Sequence, residues 1–198
     1  MKVRIGVSNR HVHLTKEVYV KLFGKEELEK DRDLVQPGQF ASTDHVTIKN
    51  GDRQIENVRV LGPFRNYNQV EISRTDAYKL KVNPPIRTSG DLKGSLPITI
   101  IGPKGQVTIP EGLILPNRHI HISPEDLKKY GFENLKKVAV KIDGEKAGII
   151  DNVYFKVLDG AVLEMHIDTD EGNAFSLTTG DEVLLIKSLE SDHDNITK

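Results

Sequence analysis

Short apolar runs separated by turn residues dominate the chain. Val46-Thr47-Ile48 leads into Asn50-Gly51, and Ile98 to Ile101 leads through Pro103-Lys104-Gly105 into Val107-Thr108-Ile109. Val138 to Ile142 precedes Asp143-Gly144, and Phe155-Lys156-Val157 precedes Asp159-Gly160. Asn-Gly and Asp-Gly between such runs predict tight hairpins, because a type I′ turn needs positive φ at both central residues. Strands this short and this spaced predict a mostly β protein, a barrel or a sandwich, and not alternating βα units. Helix signals are few. Ser123-Pro124-Glu125 through Tyr130-Gly131 carries an N-cap, a proline at the first helical position, early acids and a closing glycine. Thr15-Lys16-Glu17 through Phe23-Gly24 is its weaker counterpart. The polar tail, 188–198, is expected to fray.

An internal repeat organises this pattern. Asn9-Arg10-His11-Val12-His13-Leu14-Thr15 returns as Asn117-Arg118-His119-Ile120-His121-Ile122-Ser123, and each copy runs into a short capped helix. One His-x-His arises by chance; two copies in the same seven-residue frame point to a duplication.

Composition narrows the chemistry. The 28 Lys and Arg nearly balance the 29 Asp and Glu, so no global field favours nucleic acid or an anionic membrane. No apolar run approaches the roughly 20 residues of a membrane span. The chain enters a strand pattern at Met1-Lys2-Val3-Arg4-Ile5, which leaves no room for a signal peptide, and the cytoplasm is the expected compartment. Cysteine is absent. Thiolate nucleophiles, disulfides and Cys-type zinc sites are thereby excluded together, and a metal must be held by histidine and carboxylate.

A strand projects residues i and i+2 from one face, so His11 points with His13 and His119 with His121. Two adjacent imidazoles are a ready zinc chelate. Aligning the halves, Val70-Glu71-Ile72 with Asp76-Ala77-Tyr78 matches Met165-His166-Ile167 with Asn173-Ala174-Phe175, the second segment being two residues longer. That frame sets Glu71 opposite His166 and gives each half three ligands with an open fourth position, the catalytic zinc pattern. It uses five of the seven histidines; His45 and His193 fall outside it and are expected to be structural or solvent-facing. Arg10 and Arg118 alternate onto the opposite face and are expected to be structural.

Other readings use the same residues. His11-x-His13-x₃-Glu17-x₆-Gly24 approaches the first cupin motif, but no second motif follows. Glu17 and Glu125 fit better as first-turn acids facing a helix dipole. A zinc hydrolase and a non-catalytic metal-binding β protein remain as competitors. A (β/α)₈ amidohydrolase needs a longer, more helical chain. Gly102-Pro103-Lys104-Gly105 lacks a following helix start, so it reads as a hairpin turn and not as a phosphate loop.

Four motifs together resemble one family. Asn9-Arg10-His11-Val12-His13, Val58-Arg59-Val60-Leu61-Gly62-Pro63-Phe64-Arg65, Gln69-Val70-Glu71-Ile72-Ser73-Arg74-Thr75-Asp76-Ala77 and Arg118-His119-Ile120-His121 resemble the PduL-type phosphate propanoyltransferases, in the family's order, over about residues 2–187. The resemblance implies two small interdigitated β-barrels capped by short helices, with the first strand completing the C-terminal barrel. The halves would be 10–115, and 1–9 with 116–187. It implies two zinc ions per chain, one on His11, His13 and Glu71 and the other on His119, His121 and His166. It places Arg65 at the phosphate and Val7, Ser8, Asn9, Arg59 and Asn173 at coenzyme A. The implied partners are acyl-CoA and phosphate, with no nucleic acid and no membrane, and a homo-oligomer is compatible. Relatives in propanediol degradation are packaged into bacterial microcompartments through an N-terminal extension. This chain begins at its first strand, so the expectation is a free cytoplasmic enzyme.

With no cysteine, acyl transfer is expected in a ternary complex without an acyl-thioenzyme.

Overall fold

The computed structural model describes residues 1–186. The tail expected at 188–198, and His193, lie outside them. The chain opens on β1 (Lys2–Ser8), β2 (His11–His13), α1 (Lys16–Phe23), β3 (Lys30–Asp33), β4 (Phe40–Asn50) and β5 (Arg53–Gly62). It continues through β6 (Gln69–Glu71), α2 (Arg74–Leu80), β7 (Ile86–Arg87), β8 (Leu96–Ile101) and β9 (Gln106–Pro116). The second half supplies β10 (His119–Ile122), α3 (Pro124–Lys129), β11 (Lys137–Ile142), β12 (Gly148–Val157), β13 (Glu164–Asp168), α4 (Thr169–Phe175) and β14 (Glu182–Ile186).

The protein is mostly β and forms two closed six-stranded barrels. One compact unit is Asn9–Pro116; the other joins Met1–Ser8 to the chain from Asn117 onward. In the first unit the ring runs β4-β5-β2-β6-β9-β8 and returns to β4. In the second it runs β1-β13-β10-β12-β11-β14 and returns to β1. The two rings match strand for strand. Each His-x-His strand pairs parallel with one neighbour and antiparallel with the strand carrying the expected third ligand. That strand in turn pairs parallel with β9 in one ring and with β1 in the other.

β1 and β9 each stand immediately before a His-x-His strand, and each closes the barrel of the other repeat. The exchange is reciprocal within a single chain. No hydrophobic pattern announces it, because an exchanged strand keeps the same alternation of faces.

That alternation fixes where the histidines point. Val12, Val60, Val70 and Leu113 share one register row across four strands of the first ring and are fully buried in its core. Ile5, Met165 and Ile120 do the same in the second. His11, His13, His119 and His121 therefore lie on the other face of the barrel wall.

Three expectations are corrected. Asp159-Gly160 does turn the chain, with Gly160 at φ +67°, but it closes no hairpin. β12 and β13 are separated by β10, which pairs with both. Helices are also more numerous than the sequence announced: α2 and α4 follow β6 and β13, capped by Ser73 and Asp168. The two-residue insertion between the halves disappears as well. Glu71 and His166 each stand two residues before the cap of the next helix, so Asp76 is equivalent to Glu171 and not to Asn173.

Candidate metal centres

All four strands bearing candidate ligands end the same way. His13, Glu71, His121 and His166 each precede by two residues an N-cap: Thr15, Ser73, Ser123 and Asp168. Each cap side chain accepts the backbone N–H three residues on, a bond that stabilises the helix start by about 1 kcal/mol. The ligand-bearing strand end is thus pinned between a ladder on one side and a capped helix on the other.

A second device is duplicated. The Arg10 guanidinium donates to both oxygens of the buried Asp76 carboxylate at 3.1 and 3.3 Å, and the Arg118 Nε lies 2.9 Å from Glu171 Oε1. Asp76 and Glu171 are the equivalent third residues of α2 and α4. In each barrel the arginine that precedes the histidine pair is therefore tied to the helix that follows the third ligand. Burial raises the Glu171 pKa, against the opposing pull of Arg118.

Register brings the ligand candidates together. His11 pairs with Glu71, and His119 pairs with His166. The donor atoms of His11, His13 and Glu71 lie within 4.8 Å of one another, as do those of His119, His121 and His166. In both sets the first histidine donates its Nδ1–H to the carbonyl of the asparagine two residues earlier, Asn9 at 2.8 Å and Asn117 at 2.9 Å. This bond sets the tautomer and leaves the lone pair on Nε2. His11 Nε2 then lies 3.5 Å from Glu71 Oε2, and His119 Nε2 lies 3.1 Å from His121 Nε2.

The donor sets fit a zinc-sized cation. Tetrahedral ligands at about 2.0–2.1 Å stand roughly 3.3 Å apart, close to the spacing of the His119 and His121 nitrogens. Burial, then the neighbouring His119, His166 and Lys156, push the His121 pKa down to about 2. The ring is neutral and keeps the lone pair that metal binding needs. Its buried Nδ1 has no hydrogen-bond partner among the described residues.

The residue two positions before each third ligand is part of the same cluster, and the sequence reading missed it. Gln69 pairs with His13, and Glu164 pairs with His121. The signal was available, since i−2 on a strand shares a face. A further unread residue is Gly6, which pairs with His166. A Cβ built there would stand 2.9 Å from His166 Cδ2 and 3.1 Å from Glu164 Cδ.

The remaining candidates divide between the units. Arg59 pairs in register with His11; its guanidinium donates to Asp31 at 3.0 Å and to the Ser42 carbonyl at 2.7 Å. Arg65 donates its backbone N–H to Leu14 O, next to His13, and its side chain donates to Gln39. Its Nε is buried without a hydrogen-bond partner among the described residues. Asn9 lies beside the first cluster through its bond to His11. In the other unit, Val7 and Ser8 end β1, the Val7 N–H donating to Thr179 Oγ1 at 3.1 Å. The Asn173 carbonyl, on α4, accepts from Lys146 Nζ at 3.0 Å. His45 is solvent-exposed and takes no part in either cluster. Glu17 and Glu125 lie in the first turns of α1 and α3. No helix among the described residues is long and apolar enough to cross a membrane.

A profile of the family described as phosphate propanoyltransferase matches residues 4–178. A phosphate propanoyltransferase of Thermotoga maritima is 49 % identical over 185 residues, 92 % of this chain and 88 % of the relative. One from Lachnoclostridium phytofermentans is 49 % identical over 186 residues, covering 93 % and 87 %. One from Salmonella typhimurium is 44 % identical over 173 residues, covering 87 % and 82 %. With most of its length matched at this identity, the chain belongs to the phosphate propanoyltransferase family.

Proposed function

We propose that the chain is a phosphotransacylase that converts acyl-CoA and phosphate to acyl phosphate and CoA, acting on a propanoyl or acetyl group. The observation that carries this reading is the pair of three-donor clusters at the family's motif positions, in a chain without cysteine. Zinc is the proposed metal, two ions per chain, on His11, His13 and Glu71 and on His119, His121 and His166. Nitrogen and carboxylate donors without thiolate suit it. Bound there, zinc would supply Lewis-acid polarisation of the thioester carbonyl and lower the pKa of the departing thiol.

The protein's own groups do the rest. Among the described residues the buried Nε of Arg65 has no hydrogen-bond partner, and its planar fork suits a bidentate contact to the phosphate dianion. A phosphate oxygen so held attacks the carbonyl carbon, the C–S bond breaks, and coenzyme A leaves as thiolate. Arg65 also offsets charge gathering at the tetrahedral centre. Both substrates are present together, since no cysteine is available to carry the acyl group. Val7, Ser8, Asn9, Arg59 and Asn173 are proposed to contact coenzyme A. The family resemblance supports a propanediol-degradation setting, in the cytoplasm or in the lumen of a microcompartment.

The test is the fate of the acyl group. Purified protein given propanoyl-CoA should release free thiol only when phosphate is present, and hydroxylamine should trap the product as the hydroxamate of an acyl phosphate. Thiol release without phosphate, yielding propanoate, would make the protein a hydrolase and overturn the reading.

A further inference from the structure

The two centres differ in their third ligand, Glu71 in one and His166 in the other, and the residue beside each differs in the opposite sense. Gln69 is fully buried. The Gly90 N–H can only donate, and it donates to Gln69 Oε1 at 2.8 Å, which fixes the orientation of the carboxamide. Nε2 is thereby turned to donate to Glu71 Oε1 at 2.5 Å and to Ser89 Oγ at 2.9 Å. In the other barrel Glu164 is 4 % exposed, and its Oε2 accepts from His166 Nε2 at 2.7 Å. That bond leaves Nδ1 as the His166 nitrogen with a lone pair.

We propose that Gln69 and Glu164 are polarity-matched positioning residues, each holding the third ligand of its own centre. Gln69 donates to a carboxylate ligand, and Glu164 accepts from an imidazole ligand. Each four-residue cluster thus contains a single carboxylate, inside the ligand set in one and behind it in the other. A divalent ion would meet the same net charge at both. A carboxylate behind a ligating imidazole raises its basicity and fixes its ring, and loss of such a partner weakens metal binding about 10–100-fold.

The inference rests on the metal-centre reading above, and one titration separates the two. Metal-depleted full-length protein is titrated with Co²⁺ against a competing chelator, following the visible d–d absorption of the bound ion. Wild type should take up two equivalents. Glu164→Gln should weaken one of them about 10–100-fold and leave the other unchanged. Gln69→Leu, which removes the donor to Glu71 without adding charge, should weaken the other equivalent, and the double variant both. The melting temperature of the metal-free protein should stay within a few degrees of wild type. Should Glu164→Gln fail to fold, Glu164→Asp keeps the charge, shortens the reach, and should show the same selective loss. Unchanged affinities, loss of the same equivalent in both variants, or a parallel loss of both equivalents with falling melting temperature would overturn the proposal. A wild-type protein that takes up no cobalt would overturn the metal reading itself, and this inference with it.

Discussion

Replacing Gly6 by alanine tests the candidate centre from outside its ligand set. Gly6 is not among the residues with positive φ, so alanine meets no backbone strain and restricts the unfolded chain, a gain of about 0.4–1 kcal/mol. The steric consequence is local. The new Cβ would stand 2.9 Å from His166 Cδ2, 3.1 Å from Glu164 Cδ and 3.2 Å from its Oε1, whereas carbon atoms rest at about 3.5–4.0 Å. The imidazole and the carboxylate must retreat by roughly 0.6 Å or more. Overpacking of this kind costs about 1–3 kcal/mol, so the net loss of stability should be about 1–2 kcal/mol. For a chain of this size that is a melting shift of a few degrees. Function should suffer far more: a misplacement of about 1 Å at a reacting centre can cost on the order of 10²-fold, so turnover should fall roughly 10–100-fold. In the other barrel the equivalent register position is Ile114, opposite Glu71. A side chain is therefore tolerated at this point of the barrel, and the demand for glycine comes from the imidazole. The assay is thiol release from propanoyl-CoA with phosphate, alongside metal content and melting temperature. A Gly6→Ala protein with turnover within twofold of wild type and full metal content would refute the packing argument.

Other expectations follow from the same structure. Arg65→Ala should lower turnover about 10²–10³-fold, raise the KM for phosphate far more than that for acyl-CoA, and leave the melting temperature nearly unchanged; steady-state kinetics with each substrate varied decides it, and lysine should rescue only in part. Arg10→Met leaves the buried Asp76 carboxylate without its arginine and should cost about 1.5–3 kcal/mol in denaturant unfolding, more than Arg118→Met, because Glu171 is the more exposed partner. The metal-free protein should lose stability as pH falls from about 6.5 toward 2: His121 titrates near 6.5 unfolded and at about 2 folded, so the unfolded chain takes up the proton first. Thermal melts across that range measure it, and a flat profile would contradict the burial of His121.

The histidine pairs were legible because strand alternation and a seven-residue repeat are local properties. Glu71 and His166 needed only a common frame, which register then supplied. The family resemblance implied the two barrels that the structure shows; strand alternation alone left barrel and sandwich open, because strand order depends on pairings such as β1 with β13 that span most of the chain. The exchange of β1 and β9 leaves no mark on hydrophobic alternation. α2 is only seven residues long, too short for a helical hydrophobic period to show, although Ser73 does cap it through the Asp76 N–H. α4 begins with a capping box between Asp168 and Glu171, which was readable; the assumed two-residue insertion drew attention to Asn173 instead. Gln69 and Glu164 lie outside the His-x-His repeat, and only their place two residues before Glu71 and His166 on the same strand face marks them.

The central claim is that two metal centres on His11, His13 and Glu71 and on His119, His121 and His166 run a phosphate-dependent acyl transfer. The most direct test follows metal content and turnover in one sample while a strong chelator strips the protein and zinc is then restored. The expected result is close to two equivalents of zinc in the active protein. Loss of phosphate-dependent thiol release should track loss of metal, activity should return on zinc addition, and thiol-alkylating reagents should have no effect. Full turnover in protein stripped of metal would contradict the account.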